Sequence, residues 1–300
     1  MDPVLEKAQL LDEIENAGPR GPAPDSIRRY LRLVREQKTR ESEPVARWGS
    51  LLLGKHKRAL AEEELWLVYE QVALAAMDCQ ANSCAASCVN AVCREFPDTS
   101  IRAKRLKGMY FEATDNLERA VRLYDDILRD DPANELALKR KVAVQRTKGD
   151  LAGAAQALKS YLECYMVDRD AWEEMADIYL KMQHYKQAAF CYEELIMLAP
   201  NNLTYHLRFA DVLCTLGGSN NFQTALSHYC HTIEASGGGC VRALFGVCVS
   251  LNGITAAQTS QDTEDIGKMA GQSLLRIYAQ QSPDKLPFVK DLLKSQGLLE

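Results

Sequence analysis

One short segment, HYKQAAFCYEELIMLAP at 184–200, carries a histidine, a cysteine and two glutamates within eleven positions. Imidazole, thiolate and carboxylate groups are common metal ligands, and a histidine beside a carboxylate can also exchange protons with a substrate. A site of either kind requires that the fold bring four side chains to one point: His184, Cys191, Glu193 and Glu194. The alternative is a packing unit, in which helix geometry sends each side chain in its own direction.

Four of the ten cysteines form the only dense group, Cys79, Cys84, Cys88 and Cys93. Their spacing lacks the close C-x2-C pairs of zinc ribbons and fingers, although Cys84 and Cys88 share a helix face. Because free cysteine packs as a small apolar residue, we expect these side chains to fill helix seams, with metal binding as the alternative. We expect no signal peptide, and therefore reduced thiols in the cytosol.

A second candidate metal site lies in SHYCHTIE at 227–234, where His228, His231 and Glu234 follow one helix edge at a spacing of three residues. The alternative is that these residues form the polar outer face of a helix. The glycines of SGGGC at 236–240 lack the lysine and hydroxyl residue of a phosphate-binding loop, which favours a turn between helices.

Signatures of enzymes are missing from the sequence. It contains no G-x4-G-K-[ST], no G-x-S-x-G, no H-E-x-x-H and no G-x-G-x-x-G. We therefore expect a protein that is not an enzyme and that needs no metal and no cofactor.

Composition indicates an ordinary globular chain, with 47% apolar residues, 26% charged residues and a net charge of −5. This charge gives no reason to expect a nucleic-acid partner. The longest apolar stretches, 72–77 and 243–251, are far shorter than the roughly 20 residues that span a bilayer. We expect no transmembrane segment in the sequence.

The elements that must position all these residues follow a period of 34 residues. From Arg169 the sequence has the large and small residues and the closing proline of a tetratricopeptide (TPR) repeat. The matching residues are Trp172, Met175, Ala176, Tyr179, Ala188, Tyr192 and Pro200. Ala154 and Ala120 lie one and two periods before Ala188, and Pro132 lies two periods before Pro200, whereas the position between these prolines is Met166.

Small residues let the first helix of each pair (helix A) approach the second (helix B), and each pair leaves an apolar face for its neighbour. The predicted fold class is all-α, a right-handed TPR solenoid of antiparallel helix pairs with extra helices at both ends. The repeat region, residues 65–240, is expected to contain units at about 66–100, 101–134, 135–168, 169–202 and 203–238. The turn before Ala225 is expected to hold about three extra residues.

The two ends are less regular. Residues 1–64 are predicted as a helical lead-in, with a Pro/Gly loop at 18–24 and Ser26 as the N-cap of its second helix. The three lead-in helices are predicted at 3–16, from Ser26 to about 41, and at 45–58. Residues 241–300 are predicted as a helical cap, with a polar loop at 252–265 and later helices at about 266–281 and 284–298.

A partner is expected on helix A, because positions 2, 5, 9 and 12 to 13 line the concave surface of this repeat class. The expected groove residues are Arg102, Arg105, Met109, Glu112, Lys139, Ala143, Arg146, Asp170, Glu173, Asp177, Leu207 and Asp211. The first part of this set is basic and the later part is acidic, which would orient a bound segment of opposite charges. The alternative is that these charges only solvate exposed helix faces.

The chain resembles the subunit 2 family of the endoplasmic reticulum (ER) membrane protein complex over roughly residues 45–250. The resemblance is carried by LWLVYEQVALAAMD (65–78), RAKRLKGMYFEATDNLERAVRLYDDILRDDPAN (102–134), KRKVAVQRTKG (139–149), AWEEMADIYLKMQHYKQAAFCYEELIMLAPNN (171–202) and RALFGVCVS (242–250). It reaches exposed residues as well as packing positions. The first 40 residues and the segment after 252 diverge from the family.

This resemblance implies a non-catalytic cytosolic scaffold of a complex that inserts transmembrane segments, including tail anchors, into the ER. It implies a hetero-oligomer with membrane-embedded and soluble subunits, at the cytoplasmic face of the membrane. An alternative is a TPR co-chaperone that clamps an acidic C-terminal tail, for which Arg102, Arg105, Lys139 and Arg146 could supply cations. A third class, an RNA-binding helical repeat, would need more aromatic residues among the basic ones.

Overall fold

The computed structural model describes residues 3–18, 21–254 and 261–299. The chain divides into two compact units, Met1–Asp150 and Leu151–Glu300. All the regular structure in the described residues is helical, as the predicted fold class requires. The first unit contains α1 (Pro3–Glu15), α2 (Pro24–Glu36), α3 (Ser42–Lys55), α4 (Glu62–Asp78), α5 (Asn82–Glu95), α6 (Ile101–Ala113), α7 (Leu117–Asp130) and α8 (Glu135–Thr147).

The second unit contains α9 (Leu151–Cys164), α10 (Arg169–Lys181), α11 (Tyr185–Leu198), α12 (Leu203–Leu216), α13 (Ser219–Ala235), α14 (Val241–Gly253), α15 (Gln261–Gln281) and α16 (Leu286–Ser295). Short 3-10 helices lie at Lys57–Ala59 and Pro283–Lys285. Within each unit, each helix packs against the next along the chain. The short turns make these packed neighbours antiparallel, which confirms the predicted class of TPR-type helix pairs.

Residues at the expected seams are buried. Ala120, Ala154, Ala176 and Ala188 are fully buried, because a larger side chain would hold the paired helices apart. The large seam residues Trp172, Met175 and Tyr192 are also buried, and Tyr179 is half-buried. Pro132 and Pro200 lie exposed in the turns that follow α7 and α11.

The start of each repeat is fixed by a side-chain cap. Ser100, Asn134, Asp168 and Asn202 recur at an interval of 34 residues, and each accepts a hydrogen bond from a backbone N–H of the helix that follows. Such caps satisfy N–H groups that have no partner within the helix. The helix starts at Ile101, Glu135, Arg169 and Leu203 follow directly from them.

The end of helix A is marked by a left-handed backbone residue at the same interval. Asp115, Gly149, Gln183 and Gly217 all have positive φ angles, between 59° and 76°. After Asp115, Gly149 and Gln183 the chain also makes the hydrogen bond that closes a Schellman motif, for example His184 N to Tyr179 O at 2.8 Å. Glycine adopts this conformation without cost, whereas other L-residues are strained in it.

Several predicted boundaries are wrong. Ser26 does not cap α2, which begins at Pro24 with the proline in its first turn; its hydroxyl instead donates to Glu13 at 3.1 Å. This helix ends at Glu36 and not near 41, because Lys38 takes a left-handed conformation with φ 53°. Helix α3 begins three residues earlier than predicted, at Ser42, and ends at Lys55.

The extra residues near Ala225 lengthen a helix and not the turn. Helix α13 has 17 residues, whereas α7, α9 and α11 have 14 each. The turn itself is confined to two left-handed glycines, Gly217 and Gly218.

The predicted polar loop at 252–265 is wrong at both ends, since α14 extends to Gly253 and α15 begins at Gln261. The acidic residues Asp262 and Glu264 suit the first turn of a helix, because its N-terminus carries partial positive charge. Residues 255–260 of that loop lie outside the described residues, as do 19 and 20 of the predicted Pro/Gly loop. The last helix is shorter than predicted, ending at Ser295.

A buried carboxylate joins the lead-in helices to the first repeat. Glu64 of α4 is 8% exposed and binds Arg28, Arg32 and Arg35 of α2, with oxygen–nitrogen distances of 3.0 Å to Arg32 and 3.5 Å to Arg35. Burial opposes ionisation of Glu64, but hydrogen bonds from Arg32 and Arg28 outweigh it and lower the pKa of this carboxyl below its ordinary value of 4.5.

The left-handed turns give a first testable prediction. We expect Gln183→Gly to raise the free energy of unfolding by about 0.5–1 kcal/mol, because relief of left-handed strain exceeds the greater freedom of glycine in the unfolded chain. Gly149→Gln, the matched opposite change, should lower it by about 1 kcal/mol; a Cβ there would meet no atom within 4 Å, so the effect belongs to the backbone. Urea unfolding of both variants measures this, and changes of the same sign would contradict it.

The Glu64 cluster gives a second prediction. We expect Glu64→Gln to lower the stability by about 2–3 kcal/mol at pH 7, because three guanidinium groups lose their buried counter-charge. Since the folded pKa of Glu64 is depressed, its contribution is present above pH 4.5 and is lost as the pH falls through the folded pKa. Unfolding measured from pH 7 to pH 3 should therefore show a smaller acid-dependent loss in the variant. Glu63→Gln, at an exposed neighbour, should keep the acid response of the parent chain.

Candidate partner-binding surface

The four polar residues of segment 184–200 point in different directions. His184 is exposed in the turn before α11, and its ring lies near Tyr179, with 6.3 Å between the ring centroids. Cys191 is fully buried, Glu193 is exposed and Glu194 is half-buried. Burial raises the pKa of the Cys191 thiol to about 12, so this side chain is a protonated packing group and not a nucleophile.

Only some of the four clustered cysteines pack in a helix seam. Cys88 is buried, Cys84 and Cys93 are half-buried, and Cys79 is exposed at the end of α4. Burial raises the pKa of Cys88 to about 12. Cys79 lies outside the seam because α4 ends one residue before it, at Asp78.

The structure adds a third histidine to the pair on α13. His206 of α12 is buried, and its Nε2 donates to the carbonyl oxygen of Pro200 at 2.9 Å. In the neutral ring this leaves Nδ1 of His206 as an acceptor, and it lies 2.9 Å from Nδ1 of His228, which donates. Burial, with the nearby rings of His206 and His231, lowers the pKa of His228. His228 is thus engaged within the fold, while His231 and Glu234 are exposed.

Within residues 3–18, 21–254 and 261–299, no group of three or more histidine, cysteine, aspartate or glutamate side chains is arranged to hold a metal ion. The helices of the same ranges include none with the length and apolar character of a membrane span.

In the first unit, the charged residues of the helices A form a series of ion pairs. Arg102 and Arg105 of α6 both bind Glu70 of α4, with 2.6 Å between Nε of Arg102 and Oε2 of Glu70. Arg140 of α8 approaches Glu112 of α6 at 3.5 Å. Each carboxylate is therefore bridged by arginine from the next helix A along the chain.

Glu112 is also tied to the seam between α6 and α7. The hydroxyl of Tyr124 donates to Glu112, while the ring of Tyr124 lies against Gly108 so closely that a Cβ there would be 2.7 Å from it. Burial raises the pKa of the Glu112 carboxyl, against the opposing effects of the Tyr124 hydroxyl and Arg140. Because Gly108 has no side chain, the ring of Tyr124 packs close to α6, and its hydroxyl reaches Glu112 of the proposed groove.

The other predicted groove residues of this unit differ in exposure. Lys139 pairs with Glu135 of its own helix at 3.0 Å, Arg146 is exposed and Ala143 is half-buried. Met109 lines a cavity of about 440 Å³, which Arg140 and residues of α2, α3 and α4 also line. The neighbouring lysines have acidic partners too: Lys104 with Asp130 at 3.7 Å and Lys141 with Asp125 at 2.9 Å. The surface is a mixture of paired charges, in which cations predominate on α6 and α8.

In the second unit, the acidic residues of α10 are exposed. Asp170, Glu173 and Asp177 all lie at the surface, and Glu173 accepts a hydrogen bond from the hydroxyl of Tyr205 on α12. Asp211 of α12 accepts from the Tyr229 hydroxyl at 2.7 Å. The exposed surface of α10 therefore carries negative charge.

Asp211 is also bound by the next helix. Arg242 of α14 donates to Asp211 through Nε at 2.9 Å, which repeats the pattern of the first unit. Leu207 is half-buried on the same helix as Asp211. Asp211, the one acidic residue of α12, is thus paired within the chain, whereas the acidic residues of α10 keep most of their exposed charge.

Sequence reasoning missed three members of this surface, Glu70, Arg140 as a pairing group, and Arg242. Glu70 occupies position 5 of the unit that starts at 66, so the rule used for the later helices A would have found it. No local signal marks Arg242, because its partner Asp211 lies 31 residues away. His206 was missed for the same reason, since its partner His228 is 22 residues away.

Known proteins are similar to this chain in sequence or in fold. A family model described as the EMC2 TPR-like repeat domain matches residues 89–227. ER membrane protein complex subunit 2 of Xenopus tropicalis is 38% identical over 226 residues, which is 75% of each chain. Subunit 2-A of Xenopus laevis is 35% identical over 259 residues, 85% of this chain and 86% of that one.

A solved structure, the C-terminal part of a TPR repeat-containing protein from Cytophaga hutchinsonii, covers 85% of this chain and 97% of its own with a TM-score of 0.57. At 13% identity this likeness bears on the fold alone. The identities of 35% and 38% over at least three quarters of the chain establish the family as well as the fold. The chain belongs to the family of ER membrane protein complex subunit 2.

Proposed function

We propose that this chain is a non-catalytic scaffold subunit of the ER membrane protein complex. It would lie at the cytoplasmic face of the membrane and hold cytosolic segments of membrane-embedded subunits, together with a soluble subunit. In this way it would support insertion of transmembrane proteins, including tail-anchored ones, into the ER. The observation that carries the proposal is its close relationship, over most of its length, to proteins named as subunit 2 of that complex.

The helix A surfaces support this role physically. Their charged residues lie on rigid helices whose starts are fixed by side-chain caps, so a partner meets a preformed surface. Cations on α6 and α8 and carboxylates on α10 are suited to segments of opposite charge, and such complementarity sets specificity and orientation.

The co-chaperone alternative is less well supported. A clamp for an acidic tail needs cations that are available to a carboxylate. Arg102 and Arg105 already bind Glu70, so a tail would have to displace that residue before it gained anything.

Affinity purification of the tagged chain from a detergent extract tests the proposed function. We expect recovery of several multipass membrane proteins in fixed proportion to the tagged chain. Recovery of chaperones without membrane proteins would refute the scaffold role and favour the co-chaperone.

The basic part of the surface gives a third prediction. We expect the double variant Lys139→Glu/Arg146→Glu to lower recovery of the membrane subunits at least about fivefold, because like charges then meet across the interface. The matched control is Arg122→Glu/Arg129→Glu on α7, which changes the net charge equally on exposed residues of a helix B. Circular dichroism should show both variants folded. Equal recovery with both would remove these two residues from the partner surface.

A further inference from the structure

The second unit has an apolar groove on the face of α10 opposite Asp170, Glu173 and Asp177. Helices α9 and α11 both pack against α10 and form the walls of this groove. Its floor is made by Leu162, Trp172 and Met175, and its volume is about 580 Å³. This volume is in the range of sites that bind ligands or side chains of a partner.

The apolar side chains at this groove are exposed to an extent that packing does not explain. Met166 is 69% exposed and Phe190 is 51% exposed, and both line the groove. Monomeric proteins expose single apolar residues often, but a contiguous patch at the edge of a concavity is typical of an interaction site.

These residues also depart from the repeat that surrounds them. Phe190 takes the position that is Gln156 one period earlier and Arg122 two periods earlier. Met166 takes the position of the turn prolines, Pro132 and Pro200. The helix pair therefore has apolar groups where the repeat otherwise has polar groups or a turn proline, and about half or more of the surface of each remains exposed.

The groove is rigid at its base. The indole Nε1 of Trp172 donates to the carbonyl oxygen of Met166 at 2.8 Å, which holds the turn between α9 and α10 against the floor. The ring of Phe190 meets Trp172 edge-on, with 6.0 Å between centroids. A partner would meet a preformed site, and methionine side chains at the rim can adapt to its shape.

The charged side chains of the rim are two lysines and one glutamate, and none of them forms an ion pair within the described residues. Lys159 of α9 and Lys186 of α11 are exposed on opposite walls, and neither ammonium group pairs with a side chain among the described residues. Glu163, one turn after Lys159, is likewise unpaired there. Two unpaired ammonium groups on facing walls attract a partner whose side chains are acidic beside an apolar stretch.

We propose that this groove binds an amphipathic helix of a partner protein, with two or three large apolar side chains on the floor and acidic side chains beside Lys159 and Lys186. A helix that lies between two helices presents anchors at positions i, i+3 or i+4, and i+7, which suits a groove walled by α9 and α11. This inference uses a different surface from the proposed scaffold function and does not rest on it.

A second copy of this chain is a less suitable occupant. A symmetric contact brings the same patch of both copies together. It would set four lysines of two rims against two glutamates, with a net repulsion that an acidic helix avoids.

Photo-crosslinking in the intact cell tests this proposal. The full chain carries p-benzoylphenylalanine at position 190 or, as a matched control, at position 288, where Phe288 of α16 is 75% exposed in the same unit. We expect an adduct from position 190 whose crosslinked peptide, mapped by mass spectrometry, is an amphipathic helix with acidic residues beside its apolar face. Position 288 should not give that adduct.

Charge reversal completes the test. Lys159→Glu/Lys186→Glu should lower the yield of that adduct at least about tenfold, whereas Lys268→Glu/Lys290→Glu, on exposed residues of α15 and α16, should leave it unchanged. An adduct with a second copy, with lipid, with a peptide lacking acidic residues, or no adduct at all would overturn the proposal. So would an adduct that is insensitive to the reversal. Lys139→Glu/Arg146→Glu, which tests the scaffold surface, should not alter it.

Discussion

In each unit, the contact between a tyrosine of helix B and a glycine of a neighbouring helix determines where a carboxylate of helix A is held. Tyr124 lies on Gly108, and Tyr229 lies on Gly246 with less than 3 Å between its ring and the position of a Cβ. Only glycine admits the ring so close, and burial obliges each hydroxyl to find an acceptor. That acceptor is a half-buried carboxylate of helix A, Glu112 in one case and Asp211 in the other. Core packing thereby fixes the position of charge at the surface.

This coupling affects how the charged surface can bind. Carboxylates held by a buried tyrosine are in turn bound by arginine from the next helix A, as Asp211 is by Arg242. A partner that binds such a carboxylate must first break its ion pair with arginine. The net gain in affinity is therefore small, and only a partner group of matching charge and position can make the exchange. Exposed acids such as Asp170 and Asp177 lack that constraint and offer the larger electrostatic attraction. The surface is thus better suited to selecting a segment than to binding it tightly.

The fold class could be predicted from the sequence because the 34-residue period recurs in three kinds of residue: those of the seams, the N-caps and the left-handed turns. Ser100 and Asn134 start helices by local hydrogen bonds, and sequence patterns indicate such caps well. The pairing of Glu70 with Arg102, or of His206 with His228, depends on which helices become neighbours, and no local pattern encodes it. A repeat period shows that residues are added near Ala225 but not which element contains them, and in the structure they lengthen α13.

Met166 shows where such pattern reasoning is most informative. A repeat sequence satisfies packing, capping and turn formation together, so a residue that breaks its rule without improving any of them points to a requirement outside the fold. The turn at Met166 is closed without proline because Trp172 donates to the Met166 carbonyl, so the chain needs no apolar side chain there for the turn itself. That side chain is nevertheless 69% exposed beside Phe190, which also replaces a polar residue of the repeat. Two departures that converge on one groove are better explained by contact with another molecule than by the stability of the helix pair.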